Sequence, residues 1–561
     1  MEASARVIRG IPASPGLGVG PLVRLPRRVA PPVDEPAPVT LEDGVAEVAA
    51  VLEQVAQGME ARAEGATEAA QAILRAGALI ARDPDLADLV RDRIAGGLGV
   101  SNAVAAAADS FAAQLESLGG LMAERAADVR DVRDRAVARL LGQPESGVPR
   151  LGWPFVLTAD EVSPAEAATL DPALCLALVT AGGGPTSHTA ILAAQLGIPA
   201  VVGARGIETA PERVTVAVDG GRGEVEIDPS PARLEQLRTR EDARKRALEG
   251  FSGRGATKDG HPVPLLANLG ALAEAVRLGA WDVEGVGLFR TEFLFMDRDR
   301  APSVGEQEAI YRRLFNGIGG LPVTVRTLDA GADQPLRFAD LGLEDNPALG
   351  QRGIRTAAKF GSLLDDQLAA LAQAAERTGA DVRVMAPMVA TEAEAEWFAG
   401  RARACGLSQV GVMVETPAAA LQADRILRQV DFVSIGSNDL AQYTMAADRL
   451  QPELAGLLDP WQPAVLQLIG LAAEAGGLTG KPVGLCGEAG GDPALALVLI
   501  GLGVTSLSMA PPKIAAVRAA LASHDLRHCR DLAAVALAAP TPAAAKQAVL
   551  DAAAPILRAL T

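Results

Sequence analysis

The chain has 561 residues, 49% hydrophobic and 22% charged, a size and composition that exclude a single small domain and predict three or four folded units. Acidic residues number 69 against 52 basic ones, and the formal net charge of −17 disfavours a nucleic-acid partner. Aromatics are only 3% and the four cysteines form no CxxC pair, which argues against an aromatic-rich β-sandwich, a disulfide framework or structural zinc, and points to a reducing cytoplasm.

The first residues, MEASARVIRGIPASPG, lack the apolar run of a signal peptide. A Gly/Pro-rich strand piece (10–25) and a Pro-rich connector (30–38) lead into a stretch of helical period from 41 to about 141. There Val45, Val48, Leu52, Val55 and Met59 share one stripe, and Ser101 is placed as an N-cap before Val104, Ala108, Phe111 and Leu115. A last helix carries Val129, Val132, Val137 and Leu140, so a bundle of four or five helices is expected. Between 154 and 228 the period shortens. FVLTAD, LCLALVT, AVVG, VTVAV and EVEID read as strands, DGGRG as a hairpin turn and 189–196 as a helix.

The predicted fold is therefore α/β and multidomain. Residues 1–25 and 143–228 form one α/β domain with the bundle (26–142) inserted in it, a polar linker helix occupies 229–256, and 257–561 form a (β/α)8 barrel. Eight apolar runs support the barrel: 264–269, 285–290, 323–328, 382–387, 411–415, 432–436, 483–486 and 506–509. An open doubly wound sheet is the alternative. The uncharged run 494–512 is read as a buried helix, a Gly-containing turn and a buried strand, with no membrane insertion.

Barrel chemistry collects at the C-terminal ends of the strands. Those positions hold Asn268, Arg290, Arg326, Glu415, Asn438 with Asp439, and Cys486 with Glu488. Converging arginines suit a phosphate, and two neighbouring carboxylates suit Mg²⁺. For any one residue a rim salt bridge is the simpler account; the set as a whole favours a site. Cys486 is either a small buried hydrophobe or a proton donor. In GGGPTSHTAI, His188 stands at an expected helix start, where backbone N–H groups and the helix dipole favour an added phosphoryl group; a loop that binds without reacting is the alternative.

In their order along the chain, these motifs resemble those of enzyme I of the phosphoenolpyruvate:sugar phosphotransferase system. They are GIPASPGLGVG, RDVRDRAVARLLG (130–142), GGGPTSHTAI, GVGLFRTEFLFMDRD (285–299), RTLDAGAD (326–333), EDNPALGQRGIR (344–355), VGVMVETPAAA (410–420), SIGSNDLAQYTMAADR (434–449) and GLCGEAGGDP (484–493). The resemblance implies that a swivelling domain carries His188 as the phosphorylated residue. It implies phosphoenolpyruvate binding by Arg290, Arg326, Arg352, Asn438 and Arg449, Mg²⁺ ligation by Glu415 and Asp439, and protonation by Cys486 to release pyruvate. It further implies a homodimer through the barrel and transfer to the histidine-containing phosphocarrier protein HPr on the helical insertion. Pro185, Gln334 and Gly77 depart from residues common in the family (Arg, Lys and His), and Gly77 makes the phosphocarrier surface the least supported element. Pyruvate phosphate dikinase and phosphoenolpyruvate synthase share these parts but need an ATP-binding domain that no segment supplies. A Mg²⁺-dependent barrel lyase would leave His188 without a purpose, and a non-catalytic scaffold would leave the whole set unused.

Overall fold

The computed structural model describes residues 6–560 apart from 26–28, 64–67, 119, 144–146, 149–150, 161, 163–165, 167–169, 183–192, 194–195, 271, 276–277, 296–297, 299, 331–335, 337, 340–341, 343 and 450. They fall into two compact units, Met1–Glu241 and Asp242–Thr561.

The first unit is built on an eight-stranded sheet. Its strands are β1 (Arg6–Arg9), β2 (Ile11–Ser14), β3 (Leu17–Arg24), β4 (Phe155–Ala159), β5 (Cys175–Thr180), β6 (Ala200–Val202), β7 (Thr215–Asp219) and β8 (Glu224–Ile227). Their order is β1-β8-β7-β3-β4-β5-β6-β2, so the two outermost strands are consecutive in sequence with only Gly10 between them. A Cβ at Gly10 would lie 2.6 Å from the Val202 carbonyl oxygen, a contact only glycine avoids. β7 and β8 form the expected antiparallel hairpin, and Asp219 accepts hydrogen bonds from the Gly221 and Arg222 N–H groups in its turn.

Between β3 and β4 the chain forms five helices: α1 (Leu41–Ala63), α2 (Glu68–Ala81), α3 (Pro84–Ala95), α4 (Val100–Leu118) and α5 (Gly120–Leu140). Val48, Leu52, Val55 and Met59 are buried on the expected stripe of α1. The N-cap expectation for Ser101 fails. The helix begins at Val100, and the Glu35 carboxylate of the Pro-rich connector accepts from the Ser101 and Asn102 N–H groups at 3.0 and 2.9 Å. A helix start needs an acceptor, and here it comes from far back in the chain. Gly77 faces the bundle interior; a Cβ there would sit 2.2 Å from Met59 Cε, so that thioether occupies the space a larger side chain would need. Helix α6 (Pro231–Leu248) follows the sheet, its Arg233 paired with Glu226 and its Arg240 with Asp219.

The second unit is a closed parallel barrel. Its strands are β9 (Leu265–Leu269), β10 (Val286–Phe289), β11 (Val323–Arg326), β12 (Val382–Ala386), β13 (Gln409–Val414), β14 (Phe432–Ile435), β15 (Val483–Leu485) and β16 (Ser506–Met509). β16 pairs with β9 and closes the ring, so the open-sheet alternative is excluded. Burial on both sides explains the unbroken apolar runs. Val384, Val412 and Val414 face the surrounding helices, while Leu288, Met385, Met413 and Cys486 form a separate cluster. Cross-strand register puts Arg326 opposite Met385, and so on that cluster's face of the sheet. The uncharged run becomes a helix (Pro493–Gly501) buried from Pro493 to Ile500, then a turn and β16. Among the described residues no helix is long and apolar enough to cross a membrane.

Candidate active site

At the C-terminal ends of the barrel strands, charged side chains form one chain of alternating sign. Arg326, the last residue of β11, pairs with Glu292 at 3.0 Å and with Asp329 at 3.1 Å. Asp329 also accepts from Arg352 at 2.9 Å, and Arg352 donates to Asp439 at 3.1 Å. Arg449 approaches the other Asp439 oxygen at 3.6 Å. Three carboxylates thus alternate with three guanidiniums, and Arg326, Asp329, Arg352 and Asp439 are buried. Burial opposes the charge on Arg326 and on Arg352, but the carboxylates beside them outweigh it and raise both. Burial likewise opposes the Asp329 carboxylate, yet Arg326 and Arg352 hold it below its ordinary range.

Glu415 lies outside that balance. It is buried just past β13, with one oxygen accepting from the Met388 N–H at 2.8 Å. Met388 adopts φ 62°, a conformation that aims this N–H at the carboxylate. Gly436 makes room on the other side, where a Cβ would stand 2.6 Å from Glu415 Oε1. Burial, then Asp439 and Asp329, push Glu415 up to about 8, against the pull of Arg326 and the Met388 N–H. Among the described residues no three His, Cys, Asp or Glu side chains group as a metal cage. The pair Glu415 and Asp439, two hard oxygen donors, suits an ion that keeps water and substrate ligands.

Cys486 follows β15, at the apolar barrel interior. Its thiol is pushed up to about 11, first by burial and then by Glu415, while Ser434, Arg326 and Arg290 pull the other way. It is a protonated thiol at neutral pH, 3.7 Å from the Ile435 carbonyl. The Asn268 amide donates to the Cys486 carbonyl at 2.9 Å and is bonded to Ser508. That fixes the turn carrying the thiol.

The structure therefore brings Arg326, Arg352, Arg449, Glu415 and Asp439 into one mouth, with Arg290 within electrostatic reach of Cys486. Arg290, Asn438 and Glu488 are exposed, Asn438 on the first turn of the helix Ser437–Met445 that also carries Asp439. His188, with Pro185 and most of the expected helix 189–196, lies outside the described residues, as does Gln334.

Three family models tile the chain: "PEP-utilising enzyme, N-terminal" over residues 9–125, "PEP-utilising enzyme, mobile domain" over 152–223 and "PEP-utilising enzyme, PEP-binding domain" over 252–526. A phosphoenolpyruvate-protein phosphotransferase of Streptomyces coelicolor is 47% identical over 97% of this chain and 99% of its own. The chain belongs to the phosphoenolpyruvate-protein phosphotransferase family. A second relative of that name, from Haloferax volcanii, is 40% identical over 96% of this chain and 98% of its own. A multiphosphoryl transfer protein of Xanthomonas campestris is 38% identical over 95% of this chain and 66% of its own. The protein is an enzyme, a phosphotransferase that draws on phosphoenolpyruvate.

For a member of this phosphotransferase family, sequence reasoning passed over Glu292, Asp329 and Tyr443. Glu292 and Asp329 stand two and three residues after a candidate arginine (Arg290 and Arg326), so searching each strand-end arginine for a nearby acid would have found them. Tyr443 gave no such signal. It receives a 3.4 Å hydrogen bond from Arg352 and donates to the Ala348 carbonyl.

Proposed function

We propose that the protein transfers the phosphoryl group of phosphoenolpyruvate to His188, releases pyruvate, and passes the group to the phosphocarrier HPr, the first step of sugar uptake by the phosphotransferase system. The observation that carries this is the alternating arginine–carboxylate chain around a protonated thiol in the barrel mouth. Buried ion pairs of this kind contribute little net stability compared with apolar packing, so their presence speaks for a charged ligand. The phosphate and carboxylate of the substrate take over guanidiniums now held by Asp329 and Asp439. Arg290, Arg326 and Arg352 face the phosphoryl oxygens, and Arg449 with Asn438 the remainder of the molecule. Glu415 and Asp439 would hold Mg²⁺, which when bound would offset charge on the phosphoryl oxygens.

As the imidazole nitrogen of His188 forms its bond to phosphorus, the bond from phosphorus to the enol oxygen breaks and leaves an enolate. Cys486 gives its proton to the enolate carbon to make pyruvate, and the thiolate recovers a proton from water. The apolar barrel interior keeps that thiol protonated until the enolate forms. The protein works in the cytoplasm as a homodimer joined through the barrel, with HPr docking on the five-helix bundle.

The deciding experiment treats the purified protein with labelled phosphoenolpyruvate and Mg²⁺. An acid-labile phosphate should appear together with pyruvate, and His188→Ala should abolish both. Labelling of His188→Ala at the parental level would refute the mechanism. Unchanged turnover in Cys486→Ala would remove the thiol from it.

A further inference from the structure

Behind the mouth, Gln367 sits on the inner face of the helix Gly361–Thr378, 1% exposed, on the apolar stripe with Leu364, Leu368 and Leu371. Every strong hydrogen-bonding direction of its N–H groups is used. Its Nε2 donates to Thr291 Oγ1 at 3.1 Å and to the Tyr311 hydroxyl at 3.0 Å, and its Oε1 accepts from the Leu328 N–H at 2.9 Å. Thr291 Oγ1 in turn donates to the Arg326 carbonyl at 2.9 Å. Thr291 follows Arg290, and Leu328 lies between Arg326 and Asp329. One amide thus ties the segment after β10 to the segment after β11, and each segment carries an arginine of the mouth.

Packing alone does not hold these segments. A cavity of about 20 Å³ lies beside the hydrogen bond from Leu328 to Gln367, lined by Leu363, Leu364 and Gln367 of the helix together with Thr327, Leu328 and Ile354. A space of that size holds about one water, so side chains do not fill this spot completely. A buried amide with all its partners in place is costly to disturb, so hydrogen bonds set the position that packing leaves open.

We infer that Gln367 is a positioning residue for phosphoryl transfer, setting the relative placement of Arg290 and Arg326 through Thr291 without touching substrate. This rests on the reading that those arginines hold phosphoenolpyruvate. The test compares the full-length parent with Gln367→Met, Thr291→Val and the double variant. Three quantities are measured: KM and kcat for labelling by phosphoenolpyruvate, the rate at which protein already labelled delivers phosphate to HPr, and the thermal midpoint. Misplacing groups by a fraction of an ångström should raise KM roughly tenfold in each single variant. The delivery rate should not change. The double variant should lose little beyond the worse single one, because both cuts fall on one connection. A folded variant with unchanged KM, equal loss in both half-reactions, or two effects that add in full would each overturn the inference. Should Gln367→Met fail to fold, Thr291→Val carries the same comparison. A parent that takes no label from phosphoenolpyruvate would sink the underlying reading first, and this inference with it.

Discussion

Arginine lies between two carboxylates in the helical bundle and again in the barrel mouth, in opposite settings. In the helical bundle, Arg82 reaches Glu53 at 2.8 Å and also pairs with Glu60, in open solvent. In the barrel, Arg326 lies between Glu292 and Asp329 and Arg352 between Asp329 and Asp439, largely buried. Water and salt screen the first arrangement, so breaking it changes little. In the second, each partner is the main compensation for its neighbour, and removing one leaves a buried charge. The same contact geometry is a screened surface pairing in one setting and, in the function proposed above, an anion receptor in the other.

The contrast can be broken by substitution. Arg326→Met should show the largest effect, a loss of roughly a thousandfold in kcat/KM for labelling by phosphoenolpyruvate, as the proposed placement of its charge against the phosphoryl group requires. Retention of near-parental activity would make Arg326 a structural residue. Asp329→Asn should follow, lowering stability by about 3 kcal/mol in denaturant titrations. Inorganic phosphate should protect this variant more than the parent, since an added anion replaces the lost one; equal protection would contradict the receptor view.

His524 provides an intermediate case, a titratable group sealed in its neutral form. Its Nδ1 bonds the Ala520 carbonyl at 2.7 Å and its Nε2 accepts from the Ala554 N–H at 3.0 Å, an arrangement that the imidazolium cannot keep. Burial, with His528 and Lys258 adding, holds it below the ordinary 6.5, against the pull of the Ala520 hydrogen bond and Asp525. The depressed value means the folded state favours the neutral ring. Its contribution is full above the ordinary pKa and is lost as pH falls through the lower folded one. Between about pH 7 and 5 the unfolding midpoint of the parent should drop more steeply than that of His524→Gln. Parallel curves would exclude the histidine as the source. Arg82→Ala comes last: the midpoint should hardly move in low salt and not at all in high salt, and a marked loss would erase the contrast between the two ion-pair settings.

Much of the barrel was legible because parallel strands buried on both faces leave unbroken apolar runs, and because chemistry at strand ends follows from the topology. Arg290, Arg326, Glu415, Asp439 and Cys486 could be named on that ground alone. Arg352 could not. It lies in the long connection after β11, between short 3-10 turns, and only family resemblance pointed to it. Gln367 was hidden by its surroundings, although a glutamine on a stripe with Leu364, Leu368 and Leu371 is itself a signal of a buried polar hub. Ser101 misled because capping was sought in the adjacent sequence, whereas the acceptor is Glu35. Local pattern reports which face of an element is buried; it does not report which distant side chain completes it.

The strand order of the N-terminal sheet bears on the order of events during synthesis. β1 and β2 are made long before β6 and β8, yet Arg6 pairs with Ile227 and Ile11 with Val202. At ordinary translation speeds those strands wait on the order of ten seconds or more for their partners. The helices α1–α5 emerge meanwhile, and their contacts are local enough to form without delay. The bundle can therefore be complete while β3 still lacks both its neighbours, and a nascent chain stalled before β6 would leave β1 and β2 unpaired and β3-β4-β5 open at both edges.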